Sequence, residues 1–112
     1  MTWKQLCKLA RELPEVAEDF WFGTPALKVR GKSFARLKED GMTVVLMVED
    51  VDEQEALIAT RSRVYFITDH YRGYPAVLAR LAALSVREAR VRLERAWRRK
   101  APKRLVAQFD AA

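Results

Sequence analysis

The sequence holds one cysteine, one histidine, four glycines, four prolines and no long apolar run. A single cysteine, Cys7, has no partner for an intramolecular disulfide, so a reducing cytoplasm is the expected compartment. One cysteine and one histidine also exclude C-x-x-C and H-x-x-x-H metal spacings. The longest apolar stretch, Met42 to Val48, is broken by Thr43 and is far too short to span a bilayer. No G-x-S-x-G nucleophile motif occurs, and Gly31-Lys32-Ser33 lacks the upstream glycine of a phosphate loop. The first residues, "MTWKQLCKLARELPEV", are charged throughout and do not read as a signal peptide. No repeat, linker or low-complexity tract is evident. These scarcities leave no basis for a reaction, a cofactor or a metal site.

What is present fits one globular domain over residues 1–112, with 50% hydrophobic and 32% charged residues. The charge is unevenly placed. Residues 1–86 carry 12 basic and 12 acidic side chains, whereas residues 87–104 carry nine basic and two acidic ones. The net +6 therefore belongs to one C-terminal segment, and a field of that sign attracts polyanions. The plainer reading is a solvated helix face.

Hydrophobic spacing predicts a helix from Thr2 to Leu13, with Thr2 and Gln5 as a capping box and Pro14 as its stop. Gly23 and Pro25 mark a bend. Three strands in hairpin order follow: Leu27-Val29, Ser33 to Lys38 and Thr43 to Val48. Turns at "RGK" (30–32) and at Asp40-Gly41 separate them. A short helix is expected from Asp52, capped by Asp52 with Glu55. The segment "RVYFIT" (63–68) reads as a strand, "DHYRGYP" (69–75) as a loop and "AVLAR" (76–80) as another strand. Ser85, with Glu88, caps a long helix whose buried stripe is Val86, Ala89, Leu93, Ala96 and Trp97. A last helix follows Pro102. The order α-βββ-α-ββ-α-α predicts an α+β fold, an antiparallel sheet of about five strands with helices on one face and water on the other.

Strand parity then assigns the wet face. If Leu27, Val29, Ala35 and Leu37 face the helices, Lys28, Arg30, Phe34, Arg36 and Lys38 face out. Cations interleaved with a ring can neutralise phosphates and stack a base. The only histidine, His70, sits in an unusual loop with Tyr71, Arg72 and Tyr74. Its sole sequence neighbour of catalytic type is Asp69. The carboxylates Glu49, Asp50, Asp52, Glu53 and Glu55 have a sufficient explanation at a helix start, where the dipole favours them.

Taken together, "LPEV" (13–16), "PALKVRGKSFA" (25–35), "DHY" (69–71), "AVLARLAAL" (76–84), "AW" (96–97) and "APKRL" (101–105) resemble the MmcQ/YjbR family. The resemblance implies a frataxin-like, "double-wing" α+β fold and a DNA-binding role. It carries Gly31, Lys32 and Phe34 over from the "GKxF" element, and His70 and Tyr71 from the "HY" loop. Many members have a tryptophan shortly after that pair; Tyr74 stands there in this chain. Frataxin relatives are associated with iron through an acidic ridge, but the acidic segment here lacks the glycine of a calcium loop.

Two readings follow. In the first, a non-enzymatic nucleic-acid-binding module uses Lys28, Arg30, Lys32, Arg36, Lys38, Arg72, Arg95, Arg98, Arg99, Lys103 and Arg104 on phosphates, with Phe34, His70, Tyr71 and Tyr74 beside them. About five neutralised phosphates give a salt slope near −4.5. In the second, a monomeric protein- or small-ligand-interaction domain uses the groove beside the His70-Tyr71 loop. Neither involves a membrane.

Overall fold

A computed structural model describes residues 1–112. The elements are α1 (Trp3–Ala10), β1 (Val16–Trp21), β2 (Thr24–Val29), β3 (Lys32–Leu37), β4 (Thr43–Met47), α2 (Val51–Thr60), β5 (Tyr65–Phe66), β6 (Ala76–Arg80), α3 (Val86–Lys100) and α4 (Lys103–Ala111). The α+β class holds, with six strands in place of about five. All pairings are antiparallel, in the order β1-β2-β3-β4-β6-β5.

Local chemistry accounts for the boundaries. Thr2 and Gln5 close the capping box of α1, and Ser85 accepts the Glu88 N–H at the start of α3. The cap of α2 is Asp50, which accepts the Glu53 N–H, and not Asp52. The extra strand, β1, is an outer strand whose Ala17, Glu18 and Asp19 lie exposed. With one neighbour and little burial, it lacks the apolar alternation that announces a strand. It turns into β2 through Phe22 (φ 53) and Gly23 (φ 77), and β2 turns into β3 through Arg30 (φ 50) and Gly31 (φ 80). Two consecutive left-handed residues are what a tight hairpin demands of its centre.

Register sorts the sheet into two faces, because directly opposed residues share a face. Leu27, Ala35, Leu46 and Val77 form one row. This is the helix side: on the next row along, Tyr65 donates its hydroxyl to Glu88 of α3. Ala26, Arg36, Val45, Leu78 and Phe66 form the row on the reverse side.

The reverse side is not wet. Ala26, Val45 and Leu78 are at most 2% exposed, so this face too is covered. Phe34 departs furthest from expectation. The β2–β3 register shifts between Leu27 and Lys28, leaving Phe34 with no residue opposite it. Such a bulge ends the simple alternation, and Phe34 is wholly buried in the core. The α3 stripe of Ala89, Leu93, Ala96 and Trp97 is buried as expected, but Val86 is 50% exposed. No helix is long and apolar enough to cross a membrane.

Candidate functional site

The reverse face of the sheet carries a groove of about 650 Å³, lined by Trp21, Phe22, Arg36, Lys38, Glu39, Val45, Met47, His70, Tyr71 and Tyr74. The volume is in the range of pockets that hold a small organic ligand. Its floor is β4, at Val45 and Met47. One wall is the β1–β2 hairpin tip, where the Trp21 and Phe22 rings stack with centroids 4.9 Å apart. The opposite wall is the 69–75 loop. Here His70 meets Tyr71 edge-on at 4.9 Å, and Tyr71 meets Tyr74 at 6.4 Å. Phe22 and Tyr74 are exposed.

Arg36 organises the polar side. Its Nη1 donates to Thr24 Oγ1 at 2.9 Å and to Glu39 Oε1 at 3.1 Å, and its Nη2 donates to the Tyr71 hydroxyl at 3.2 Å. The guanidinium also lies 5.8 Å from the Phe22 ring centroid, and Lys38 Nζ lies 5.8 Å from that of Tyr71. Both contacts are within cation–π range. The hydrogen bond from Arg36 holds the Glu39 carboxyl below the usual carboxylate range.

The loop wall is held from below by Gln54. This α2 side chain is 1% exposed. Its Nε2 donates to the carbonyls of Tyr71, Tyr74 and Ala76 at 3.0, 2.8 and 2.7 Å. Its role was invisible in the sequence, because a glutamine in an acidic helix start gives no signal of what lies 17 to 22 residues downstream.

The structure brings Arg36, Lys38, His70, Tyr71 and Tyr74 together and disperses the rest. Lys28 pairs with Asp19 at 3.3 Å, Arg30 with Glu15, and Arg72 with Asp69 at 2.9 Å. Arg95 is held by Glu53, and Arg98 by Glu94 and Asp110. Arg99 donates to the Val48 carbonyl at 3.0 Å. Lys32 lies exposed in the β2–β3 turn region, away from the groove lining. Lys103 and Arg104 lie exposed at the start of α4. The expected cationic sheet face is therefore a set of local ion pairs, and Phe34 offers no ring to solvent. Acids from β1 and from the segment before it (Asp19, Glu15) supply two of the partners, and β1 is the strand that the sequence did not announce.

Two further groups are accounted for structurally. Burial, with Glu18 nearby, pushes the Cys7 thiol up to about 12, so it stays protonated at neutral pH. In the acidic segment, Asp50 caps α2, while Glu53 accepts the Glu49 N–H and the Arg95 guanidinium.

Comparison with known proteins gives a consistent picture. The family model described as YjbR matches residues 11–99. Uncharacterized protein Rv2570 of Mycobacterium tuberculosis (strain ATCC 25618 / H37Rv) is 36% identical over 124 residues, spanning 98% of this chain and 96% of the relative. Uncharacterized protein Mb2600 of Mycobacterium bovis (strain ATCC BAA-935 / AF2122/97) is similar to the same extent.

Proposed function

This chain belongs to the YjbR family, and from that premise we propose that it is a non-enzymatic binding protein whose site is the aromatic groove on the reverse sheet face. The observation that carries the reading is convergence. The hairpin tip, the end of β3 and the His70 loop are far apart in sequence, yet they meet around one cavity with five ring-bearing side chains and two cations. Exposed rings such as Phe22 and Tyr74 contribute little to the core; around a cleft they supply contact area for a ligand. The lone thiol has no part in it: Cys7 is buried, protonated at neutral pH and outside the groove lining. In this proposal the protein acts as a monomer, and its single cysteine suits a reducing cytoplasm.

The test is equilibrium binding of small aromatic compounds by NMR. Tyr74→Ala removes a half-exposed ring and is expected to lower affinity about tenfold with less than about 0.5 kcal/mol change in stability. Affinity for an uncharged aromatic compound should persist between low and moderate salt. Unchanged affinity in Tyr74→Ala would remove the groove from consideration.

A second reading, nucleic-acid binding, has one observation in its favour. Lys100, Lys103 and Arg104 cluster at the α3–α4 junction, and none forms a salt bridge. Three phosphate contacts give a salt slope near −2.7 on duplex DNA, shallower than the slope the whole basic set would give. A flat salt titration, or no binding at low ionic strength, would eliminate it.

A further inference from the structure

Resting on the groove as the binding site, we propose that its ligand is a flat aromatic compound bearing a single carboxylate, received by the unpartnered donors of Arg36, and that Glu39, on the other edge of the same guanidinium, opposes it by charge.

Arg36 has unused donors. An arginine guanidinium carries five N–H groups in a planar fork. Those of Arg36 reach Thr24, Glu39 and Tyr71, which leaves the Nε–H and one Nη2–H without a protein partner. The Arg36 side chain is only 9% exposed and lines the groove. A buried arginine with spare donors at a cavity wall is matched by a planar, two-oxygen acceptor, which a carboxylate supplies.

Charge narrows the class. Arg36, Lys38 and Glu39 are the ionised groups in the lining, with a balance of +1. One negative charge on the ligand neutralises the site, whereas a dianion overshoots it. The body of the ligand follows from the walls. Phe22 and Tyr74 present exposed rings, and Val45 and Met47 form an apolar floor, which suits a planar aromatic skeleton.

Glu39 partly neutralises the guanidinium from its Nη1 edge when no ligand is bound. Its carboxylate lies 3.1 Å from Arg36 Nη1, while its own side chain is 70% exposed. At neutral pH it is ionised, so it repels a second carboxylate on the same guanidinium and can turn into water when one binds. Its pairing with Arg36 is weak, since exposed ion pairs contribute little.

The experiment compares 2-naphthoate, the neutral 2-naphthalenemethanol and 2-naphthyl phosphate on the full chain, read by calorimetry and by the amide shifts of Arg36 and Lys38. The expected result is naphthoate binding at least about tenfold tighter than the alcohol, since a charge-assisted hydrogen bond is at stake. Glu39→Gln, an exposed change that leaves the fold intact, is expected to strengthen naphthoate about fivefold and to leave the alcohol unchanged. Equal affinity for naphthoate and the alcohol, both in the groove, would overturn the carboxylate assignment and leave the groove as the site. Tighter binding of the phosphate would overturn the single-charge assignment. No shift at either residue with any probe would overturn this proposal and the groove reading together.

Discussion

Gln54 joins two parts of the chain that share no sequence signal. Its amide gathers the carbonyls of Tyr71, Tyr74 and Ala76 and so fixes one wall of the groove from inside the protein. Replacing it with leucine removes a donor from three carbonyls, of which those of Tyr71 and Tyr74 keep a backbone N–H, from Tyr74 and Ala76; a buried hydrogen bond lost without replacement costs about 1–3 kcal/mol. Gln54→Leu is therefore expected to lose at least about 2 kcal/mol in urea unfolding, with faster amide exchange at Tyr71 and Tyr74 than at the strand residues Leu46 and Val77. Uniform acceleration across the chain would instead place Gln54 in global stability alone. Residues of this kind set the limit of sequence reading. His70, Tyr71 and Tyr74 were legible as a candidate site because three ring-bearing side chains crowd one loop. Arg36 was legible as a cation but not as a buried one, because its partners come from β2, from the loop and from Glu39.

At the scale of elements, the β1–β2 hairpin shows a conflict between folding and binding. Phe22 holds φ 53 and is 78% exposed. A bulky residue in the left-handed region costs about 1 kcal/mol, and asparagine tolerates that region better. Phe22→Asn is expected to stabilise the protein by up to about 1 kcal/mol in thermal unfolding while weakening aromatic ligands in the groove. A variant that binds as well as wild type would assign Phe22 to the turn only. The neighbouring β2–β3 pair explains why the sheet face was misread. Parity reasoning worked for Leu27, Ala35 and Leu37 but ended at the bulge, which swallowed Phe34. Helices were easier to read, since the caps at Thr2 and Ser85 and the α3 stripe from Ala89 to Trp97 are local patterns.

The α2–α3 contact carries the pH dependence. Burial alone would raise the Glu53 carboxyl, but the Glu49 N–H and the Arg95 and Arg92 guanidiniums outweigh it and hold the group below its ordinary range. A depressed folded-state pKa adds stability above the unfolded value of about 4.5, and this is lost as pH falls through the folded value. Urea unfolding between pH 7 and pH 3 should show stability falling below about pH 4.5. In Glu53→Gln, that acid slope should be shallower and the protein less stable at pH 7. Arg92, whose Nε is already buried without a hydrogen-bond partner, would lose its nearest acid contact.

Over the whole molecule, salt bridges hold Lys28, Arg30, Arg36, Arg95 and Arg98, whereas Lys100, Lys103 and Arg104 at the α3–α4 junction form none. The helices of residues 87–104 lie against the helix side of the sheet, and the groove opens on the reverse side. A charge-driven function and a groove-driven function therefore occupy different surfaces, and one experiment separates them. Amide chemical-shift mapping of the wild-type protein with 2-naphthoate is the most direct test. Shifts confined to residues 21–22, 36–39 and 70–74 are expected. Shifts confined to residues 87–104, or none at saturating ligand, would contradict it.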